Sequence, residues 1–365
     1  MLLDSPWSLP AAALVIGSVI GFVARRNHFC TMAALERHWY ASDSRGLRAW
    51  ILAAAVALIL SQAMQVVGWI DVSSSFYLAE PLPIAGVIIG GVMFGIGMAL
   101  VGTCGFGAVI RLGGGNLRAL VVLTGIALAA LAAQRGVTGH LRVAVLDPLS
   151  IDLSAYGGQS LGALLSSATG LALTPYLAAV ISAAMLYWVF RDRAFRMDRE
   201  KIAAGAVIGA GIAAGWLVTS MAAQRLLEPV QLEAGSFVAP LGDTMLQIIT
   251  VTGALPDYGV GLVIGVFLGA AACAWTSNDM RWEACDDARE LGRHLTGAFL
   301  MGTGGIFALG CTIGQGVSAV SVMAVSAPLA WISIAFGARI GLAYLLEGSP
   351  FAFMRSHASA GHPAE

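Results

Sequence analysis

Nine long apolar runs constrain the fold of this sequence more than any other feature. They lie near residues 7–24, 47–70, 84–103, 117–134, 173–190, 202–221, 258–276, 294–310 and 328–346. A helix needs about 17 to 25 mainly apolar residues to cross the roughly 30 Å of hydrocarbon in a bilayer. The sequence therefore predicts an all-α polytopic membrane protein with about nine transmembrane helices.

Composition excludes the water-soluble classes of protein. Only 11% of the 365 residues are charged and 58% are hydrophobic, whereas roughly 25% of the residues in an ordinary soluble domain are charged. The formal net charge is −1, and basic clusters of the kind that bind nucleic acids are nearly absent. A soluble enzyme and a nucleic-acid-binding protein are therefore excluded.

The basic residues indicate how the chain is oriented in the membrane. With the N-terminus outside, sixteen of the twenty Lys and Arg residues fall in cytoplasmic segments; the exceptions are Arg135, Arg142, Arg225 and Arg339. This distribution satisfies the positive-inside rule. We therefore expect an external N-terminus and a cytoplasmic C-terminus.

An internal repeat with an offset of 207 residues is also visible. The segment "GGVMFGIGMALVGTCGFG" aligns without gaps on "GAFLMGTGGIFALGCTIG". The matched positions are Gly90, Gly95, Gly97, Cys104 and Gly107 in the first copy, and Gly297, Gly302, Gly304, Cys311 and Gly314 in the second. The charge distribution directs the first copy inwards and the second outwards. Two repeats of inverted topology, as in many transporters, are therefore predicted.

This repeat divides the chain into four spans, a linking span and four further spans. The predicted units are a first membrane repeat at 1–172, a linking span with its inner loop at 173–201, a second membrane repeat at 202–348, and a mobile C-terminal tail at 349–365.

Glycines around the two matched cysteines predict that both helices break there. The nearest are Gly102, Gly105 and Gly107 around Cys104, and Gly310 and Gly314 around Cys311. Each interior glycine costs a helix about 1 kcal/mol relative to alanine, and irregular backbone at membrane depth survives only inside protein or beside a cavity. Short broken or re-entrant helices should then form a constriction or a site near the midplane. The alternative is that the glycines only let helices approach and the cysteines fill space.

The cysteine spacing gives little support to metal or disulfide chemistry. The sequence has five cysteines but no CxxC pair and no Cys/His cluster at metal-ligand spacing, so no cofactor is expected. Cys273 and Cys285 are interpreted as structural. Cys30 follows the first span, in a short apolar stretch that either dips into the membrane or forms an interfacial helix.

Three segments resemble a known family. "RNHFCTMAA", "GIGMALVGTCGFG" and "MGTGGIFALGCTIGQG" are similar to segments of the YeeE/YedE family of bacterial inner-membrane sulfur-compound transporters, whose best-known members take up thiosulfate. The resemblance implies an hourglass-like fold, a conduction path along Cys30, Cys104 and Cys311, and a cytosolic sulfur-carrier partner of the TusA/SirA type. The first repeat reads Thr-Cys-Gly where Gly-Cys is the expected form, so thiosulfate and other sulfur or selenium species stay open as substrates.

The chemistry of thiols suits such a path. Neutral S–H groups are weak hydrogen-bond donors, and several weak sites in sequence let an anion leave as well as bind. The predicted orientation puts Cys311 towards the outside, Cys104 further in and Cys30 nearest the cytoplasm. Inward transport would visit them in that order.

Several polar residues are candidates for supporting the anion. Arg25, Arg26 and Arg111 lie on the inner side near Cys30 and Cys104, although membrane topology alone explains them equally well. Arg339 lies within the last apolar run, where a charge normally faces the bundle interior or a cavity, snorkels, or pairs with a residue such as Glu347. Gln315 either orients the substrate or caps the helix that follows Cys311.

Two other classes of function remain open at this stage. A channel for another small solute would also use paired half-helices, but it gives no reason for a cysteine at both breaks. A membrane thiol oxidoreductase would need a vicinal or resolving cysteine and a quinone or haem site, and the sequence shows neither.

Overall fold

The computed structural model describes residues 7–154, 158–171, 173–225, 230–250, 256–285 and 287–350. The α-helices of this part are α1 (Ser8–Arg26), α2 (Thr31–Tyr40), α3 (Arg45–Val67), α4 (Ile84–Val101), α5 (Gly105–Gly113), α6 (Leu117–Arg135), α7 (Val137–Val145), α8 (Leu161–Thr169), α9 (Thr174–Phe190), α10 (Arg193–Met197), α11 (Arg199–Arg225), α12 (Ala239–Ile249), α13 (Tyr258–Thr276), α14 (Ala288–Phe307) and α15 (Ser326–Glu347). A π-helical segment spans Gly314–Ala319. Across these residues the β-structure consists of isolated bridges.

The described helices confirm the all-α polytopic membrane class. Seven helical stretches are long and apolar enough to cross a bilayer: Ser8–Tyr40, Arg45–Val67, Ile84–Gly113, Leu117–Arg135, Arg199–Arg225, Tyr258–Thr276 and Ser326–Glu347. The two remaining apolar runs coincide with α9, which has 17 residues, and with α14, whose first turns carry Arg289, Glu290 and Arg293. The count of nine crossings stays a prediction.

The long helices form two rows. In the described part of the chain, one row contains α6, α14, α4 and α15 in successive contact, and the other contains α3, α11, α1 and α13. The short helices α2, α5 and α12 and the π-helical segment each contact members of both rows. The breaks in the chain therefore lie between the two rows, at the centre of the molecule.

Glycines allow these helices to approach backbone to backbone. A Cβ atom on Gly90 would lie 2.6 Å from the carbonyl oxygen of Gly304, and one on Gly304 would lie 2.6 Å from the carbonyl oxygen of Gly90. Gly97 and Gly297 face each other in the same reciprocal way, at 2.5 and 2.8 Å. Since any side chain at these positions would separate α4 from α14, the close crossing depends on glycine.

The predicted breaks at both cysteines are confirmed. Helix α4 ends at Val101, and Gly102 terminates it at a φ of +76°, a left-handed conformation that glycine adopts without strain. Helix α14 ends at Phe307, and the chain then turns through Leu309 (φ +59°) and Gly310 (φ +152°). The chain becomes helical again directly after Cys104 and Cys311.

The C-terminal end of the chain extends past the described residues. The predicted mobile tail at 349–365 lies, from residue 351 onwards, outside the residues that the structure describes.

Candidate functional site

Each of the three predicted path cysteines directly precedes the start of a helix. Cys30 is the N-cap of α2, Cys104 is the N-cap of α5, and Cys311 precedes the helical turn that begins at Thr312. The first turn of a helix offers unsatisfied N–H groups and a partial positive charge. Three thiols are thus combined with three helix ends that favour anions.

Cys30 and Cys104 each lie beside the threonine that is adjacent in sequence to the other cysteine. The Sγ atom of Cys30 is 3.9 Å from Oγ1 of Thr103, and the Sγ atom of Cys104 is 3.9 Å from Oγ1 of Thr31. The two Cys-Thr pairs therefore face each other in reciprocal order. Cys104 and both threonines are buried, whereas Cys30 is half-buried.

Cys311 has a different set of polar neighbours. Its sulfur accepts a hydrogen bond of 3.5 Å from the backbone N–H of Gly314, and Ser236 and the backbone of Phe237 lie beside it. The Tyr77 hydroxyl is close to the same turn, since a Cβ on Gly314 would lie 2.7 Å from its oxygen. Cys311 and Ser236 are buried.

Cys104 lies within electrostatic range of the other two thiols. Charge on Cys30 or on Cys311 acts on the Cys104 thiol, and the Thr312 hydroxyl also lies beside it. Cys104 is therefore close to both other thiols, while their order along a path stays a prediction.

Small residues keep space open beside the thiols. A Cβ on Gly107 would collide with the Thr103 hydroxyl and would lie 3.9 Å from the Cys30 sulfur. A Cβ on Gly105 would lie 3.1 Å from the carbonyl oxygen of Phe237. Both predicted glycines thus occupy positions where a larger residue would press on the cysteine surroundings.

Gln315 holds the second break closed. Its Nε2 donates a hydrogen bond of 2.8 Å to the carbonyl oxygen of Ala308, and its Oε1 accepts one of 3.3 Å from the Ser326 hydroxyl. Gln315 is fully buried. These contacts join the two sides of the break, and the predicted roles of orienting the substrate or capping the helix stay predictions.

A cavity of about 470 Å³ opens beside Cys30. Cys30, Thr103, Gly107 and Cys273 contribute to its lining, and the charged residues of its wall are Arg25, Arg26, Arg37, Arg111 and Asp279. Four arginines against one aspartate make the cavity positive. Cys104 and Cys311 are fully buried behind it.

Two of these arginines also hold the cavity wall together. Arg25 donates to the Asp279 backbone carbonyl at 3.0 Å and forms an ion pair with its carboxylate at 3.4 Å. Arg111 donates to the carbonyl oxygen of Gly102 at 2.9 Å, so its guanidinium lies at the end of α4 that carries partial negative charge.

Arg339 contacts aromatic rings instead of the thiols. Its guanidinium lies 4.7 Å from the ring centroid of Tyr40 and 5.4 Å from that of Trp39, and the Tyr40 hydroxyl donates a 2.8 Å hydrogen bond to Glu347. Arg339 therefore stabilises the C-terminal end of α2 through cation–π contacts.

The hydroxyl groups were not predicted as site residues. Thr31, Thr103 and Thr312 are each adjacent in sequence to one of the three path cysteines, whereas Cys273 and Cys285 have no threonine neighbour. A threonine next to a path cysteine is therefore the sequence signal that could have identified these three hydroxyls. Tyr77 and Ser236 come from distant connecting segments, and no local pattern identifies them.

Metal ligation has no support in the described residues. Across them, no group of three or more His, Cys, Asp and Glu side chains could hold a metal ion. The cysteines are free thiols.

Comparisons with known proteins relate this chain to sulfur-compound transporters. A family model described as "Sulphur transport" matches residues 26–340. A thiosulfate transporter TsuA from Spirochaeta thermophila is 26% identical over 338 residues, which cover 89% of this chain and 95% of that protein. The Escherichia coli protein of the same name is 27% identical over 347 residues, which cover 90% of this chain and 92% of that protein.

The region matched by the family model includes all three thiols, both breaks and most of the cavity wall, although Arg25 lies just before it. Because the family match extends over most of the chain, the chain is a transporter and not an enzyme. It belongs to the sulphur-transport family, the YeeE/YedE family that its motifs resemble.

Proposed function

We propose that this protein imports thiosulfate, or a closely related sulfur-containing anion, across the bacterial inner membrane. In this proposal the anion passes from Cys311 to Cys104 to Cys30. The observation that carries it is the placement of each thiol at a helix start, with Cys104 in electrostatic range of the other two. Thiosulfate is the substrate in the names of both relatives.

The two ends of thiosulfate call for different donors. Its terminal sulfur is a soft acceptor that suits the weak S–H donors of the three cysteines. Its oxygens suit O–H and backbone N–H donors, which Thr31, Thr103 and the helix starts supply. Weak contacts at successive positions let the anion move on.

The arginine-lined cavity is proposed as the exit. It contains Cys30, the one path thiol that is not fully buried, and its net positive charge attracts an anion leaving the thiols. The basic residues around it belong to the predicted cytoplasmic side, so the proposed direction is inward.

The inverted repeats are part of the same proposal. Gly297 lies 207 residues after Gly90, and Gly97 lies 207 residues before Gly304. The repeat therefore maps the contact between Gly90 and Gly304 onto the contact between Gly297 and Gly97. Such a mapping is what an internal twofold axis between the two repeats requires. It supports repeats at 1–172 and 202–348, with 173–201 as the link.

A sulfur-carrier protein of the TusA/SirA type is the proposed cytosolic partner. The predicted inner segments 191–201 and 277–293 expose large apolar side chains, including Met197 (79% exposed) and Trp282 (75% exposed), among several arginines. Calorimetric titration with a purified carrier of this type tests the idea. Trp282→Ala should weaken binding, and unchanged binding would argue against this surface.

Uptake of radiolabelled thiosulfate into cells that lack other sulfur uptake tests the path. We expect Cys30→Ala, Cys104→Ala and Cys311→Ala each to reduce uptake strongly. Cys285→Ala is the matched control, because this cysteine lies outside the cavity and the breaks, and it should transport normally. Normal uptake in all three path variants would rule out the thiol path.

A further inference from the structure

The segment between α11 and α12 buries a carboxyl group that the proposed thiol path does not use. Residues 230–238 are largely non-helical, yet Ala234 and Phe237 are almost fully buried and Glu233 is only 8% exposed. Within the described residues, Glu233 forms no ion pair. An unpaired buried charge is costly, so such a group favours its neutral form.

The groups around Glu233 reinforce this preference. Asp257 and Tyr258 at the start of α13, Asp243 on α12 and Tyr77 face it, and Arg135 lies nearer to Asp243. Burial, followed by repulsion from Asp257 and Asp243, raises the pKa of Glu233 to about 8. The backbone N–H of Gly259, which donates to the carboxylate, offsets only part of this shift.

The same segment is tied to Cys311. The carbonyl oxygen of Gly235 accepts a hydrogen bond of 2.8 Å from Ser318 of the π-helical segment, and Ser236 and Phe237 lie beside the Cys311 thiol. Burial, followed by charge on Cys311 and on Glu233, raises the pKa of the Tyr77 hydroxyl, so this hydroxyl lies within electrostatic range of both groups.

An anion at Cys311 would therefore meet the field of an ionised Glu233 through a buried, poorly screened region. The two negative charges oppose each other, whereas a protonated Glu233 leaves the anion undisturbed. Protonation and anion binding then strengthen each other to the same extent, because such coupling is reciprocal.

We propose that Glu233 is a proton-binding site linked to the anion site at Cys311, so that thiosulfate binds to the form with a protonated Glu233 carboxyl. The inference rests on the proposed function, because it takes thiosulfate as the anion. When Glu233 begins ionised, anion binding draws one proton from the solvent onto its carboxylate.

Calorimetric titration of thiosulfate into the purified full chain tests this linkage. Repeating the titration in buffers of different ionisation enthalpy gives the number of protons taken up per anion bound. We expect almost none at about pH 6 and close to one at about pH 9, with affinity falling by up to about tenfold per pH unit above the titration point.

Glu233→Gln, which mimics the protonated side chain, should bind thiosulfate with no proton uptake and with an affinity independent of pH. Binding by this variant at about pH 6 shows that the site is intact. Asp243→Asn removes one of the repelling carboxylates but keeps the Glu233 carboxyl, so this control should keep the proton uptake at about pH 9 with its titration point shifted to lower pH. Wild-type protein that binds thiosulfate at about pH 9 without taking up protons would overturn the linkage while leaving the proposed substrate in place. Absence of thiosulfate binding at every pH would instead overturn the proposed function itself.

Discussion

At the scale of single residues, the site pairs sulfur with oxygen donors. Cys30 lies beside the Thr103 hydroxyl and Cys104 beside that of Thr31. A thiol alone offers one weak donor, whereas a thiol and a hydroxyl together can serve both ends of an anion that has sulfur at one end and oxygens at the other. We therefore predict that the threonines act in transport as well as in packing.

Replacing these hydroxyls by methyl groups tests that role. Thr31→Val and Thr103→Val keep the shape of each side chain but remove its donor. A hydrogen bond contributes about 0.5–1.5 kcal/mol, and 1.4 kcal/mol corresponds to about tenfold. We expect thiosulfate uptake by each variant to fall by up to about tenfold. Thr124→Val is the control, because it removes an exposed hydroxyl bonded to the Leu120 carbonyl, and it should transport like the wild type. Equal uptake rates for Thr31→Val, Thr103→Val and Thr124→Val would contradict a transport role for the two threonines.

The buried Glu233 also predicts how stability depends on pH. Its pKa is about 8 in the folded protein and near 4.5 for an ordinary glutamate, so between these values the folded state holds the proton more tightly than the unfolded state. This contribution is complete below about pH 4.5 and is lost as pH rises through 8. Melting temperatures should show a smaller decrease over that range for Glu233→Gln than for the wild type. Parallel pH profiles for the two proteins would be inconsistent with this assignment.

At the scale of secondary-structure elements, the close helix crossings should respond sharply to added atoms. A methyl group at Gly90 would meet the Gly304 backbone, so Gly90→Ala should destabilise the protein by about 1–3 kcal/mol. Gly102→Ala meets nothing within 4 Å but has a φ of +76°, so its cost is the strain of a left-handed alanine, about 1 kcal/mol.

Gly292→Ala is the control for both variants. Gly292 lies inside α14, where an added Cβ atom would meet nothing within 4 Å and the φ angle is an ordinary helical one. Alanine should therefore stabilise the protein at this position by about 0.5–1 kcal/mol. Chemical denaturation in detergent measures all three changes. A Gly90→Ala protein as stable as Gly292→Ala would mean that α4 and α14 are not in backbone contact.

The sequence predicted the long elements better than the short ones. Each apolar run coincides with a helix to within a few residues at most ends, because hydrophobicity sets the position of a buried or membrane-spanning helix. Helices α7, α8 and α12 were not predicted, since stretches of 9 to 11 residues carry no spanning signal. With 45 glycines in the chain, the pattern also could not show which helices pair.

At the scale of the whole molecule, the location of the site was more predictable than its composition. The 207-residue repeat identified both breaks and their cysteines from sequence alone. The partners that reach Cys311 from residues 77 and 236 depend on how the two rows of helices come together, and this arrangement has no local signature. The sequence therefore predicted the thiols of the candidate site but not the oxygens beside them.

The predicted orientation can be measured by labelling in intact cells. In a Cys285→Ser background, Ser74→Cys lies in an exposed position of the segment before α4, and Glu200→Cys lies in an exposed position at the start of α11. With an external N-terminus, a membrane-impermeant maleimide should label the first variant and leave the second unlabelled. The opposite result would reverse the orientation and the proposed direction of transport.

The reciprocal glycine contacts between α4 and α14 have a mechanical consequence. Where glycine backbone meets glycine backbone, the contact itself contains no side chain that could change rotamer to let the helices slide, and packed contacts of this kind transmit strain. The crossing should therefore act as a fixed pivot during a transport cycle. We expect the short helices that start at the cysteines to move instead, so the gates of this protein should be a few residues long and should open without whole-domain rocking.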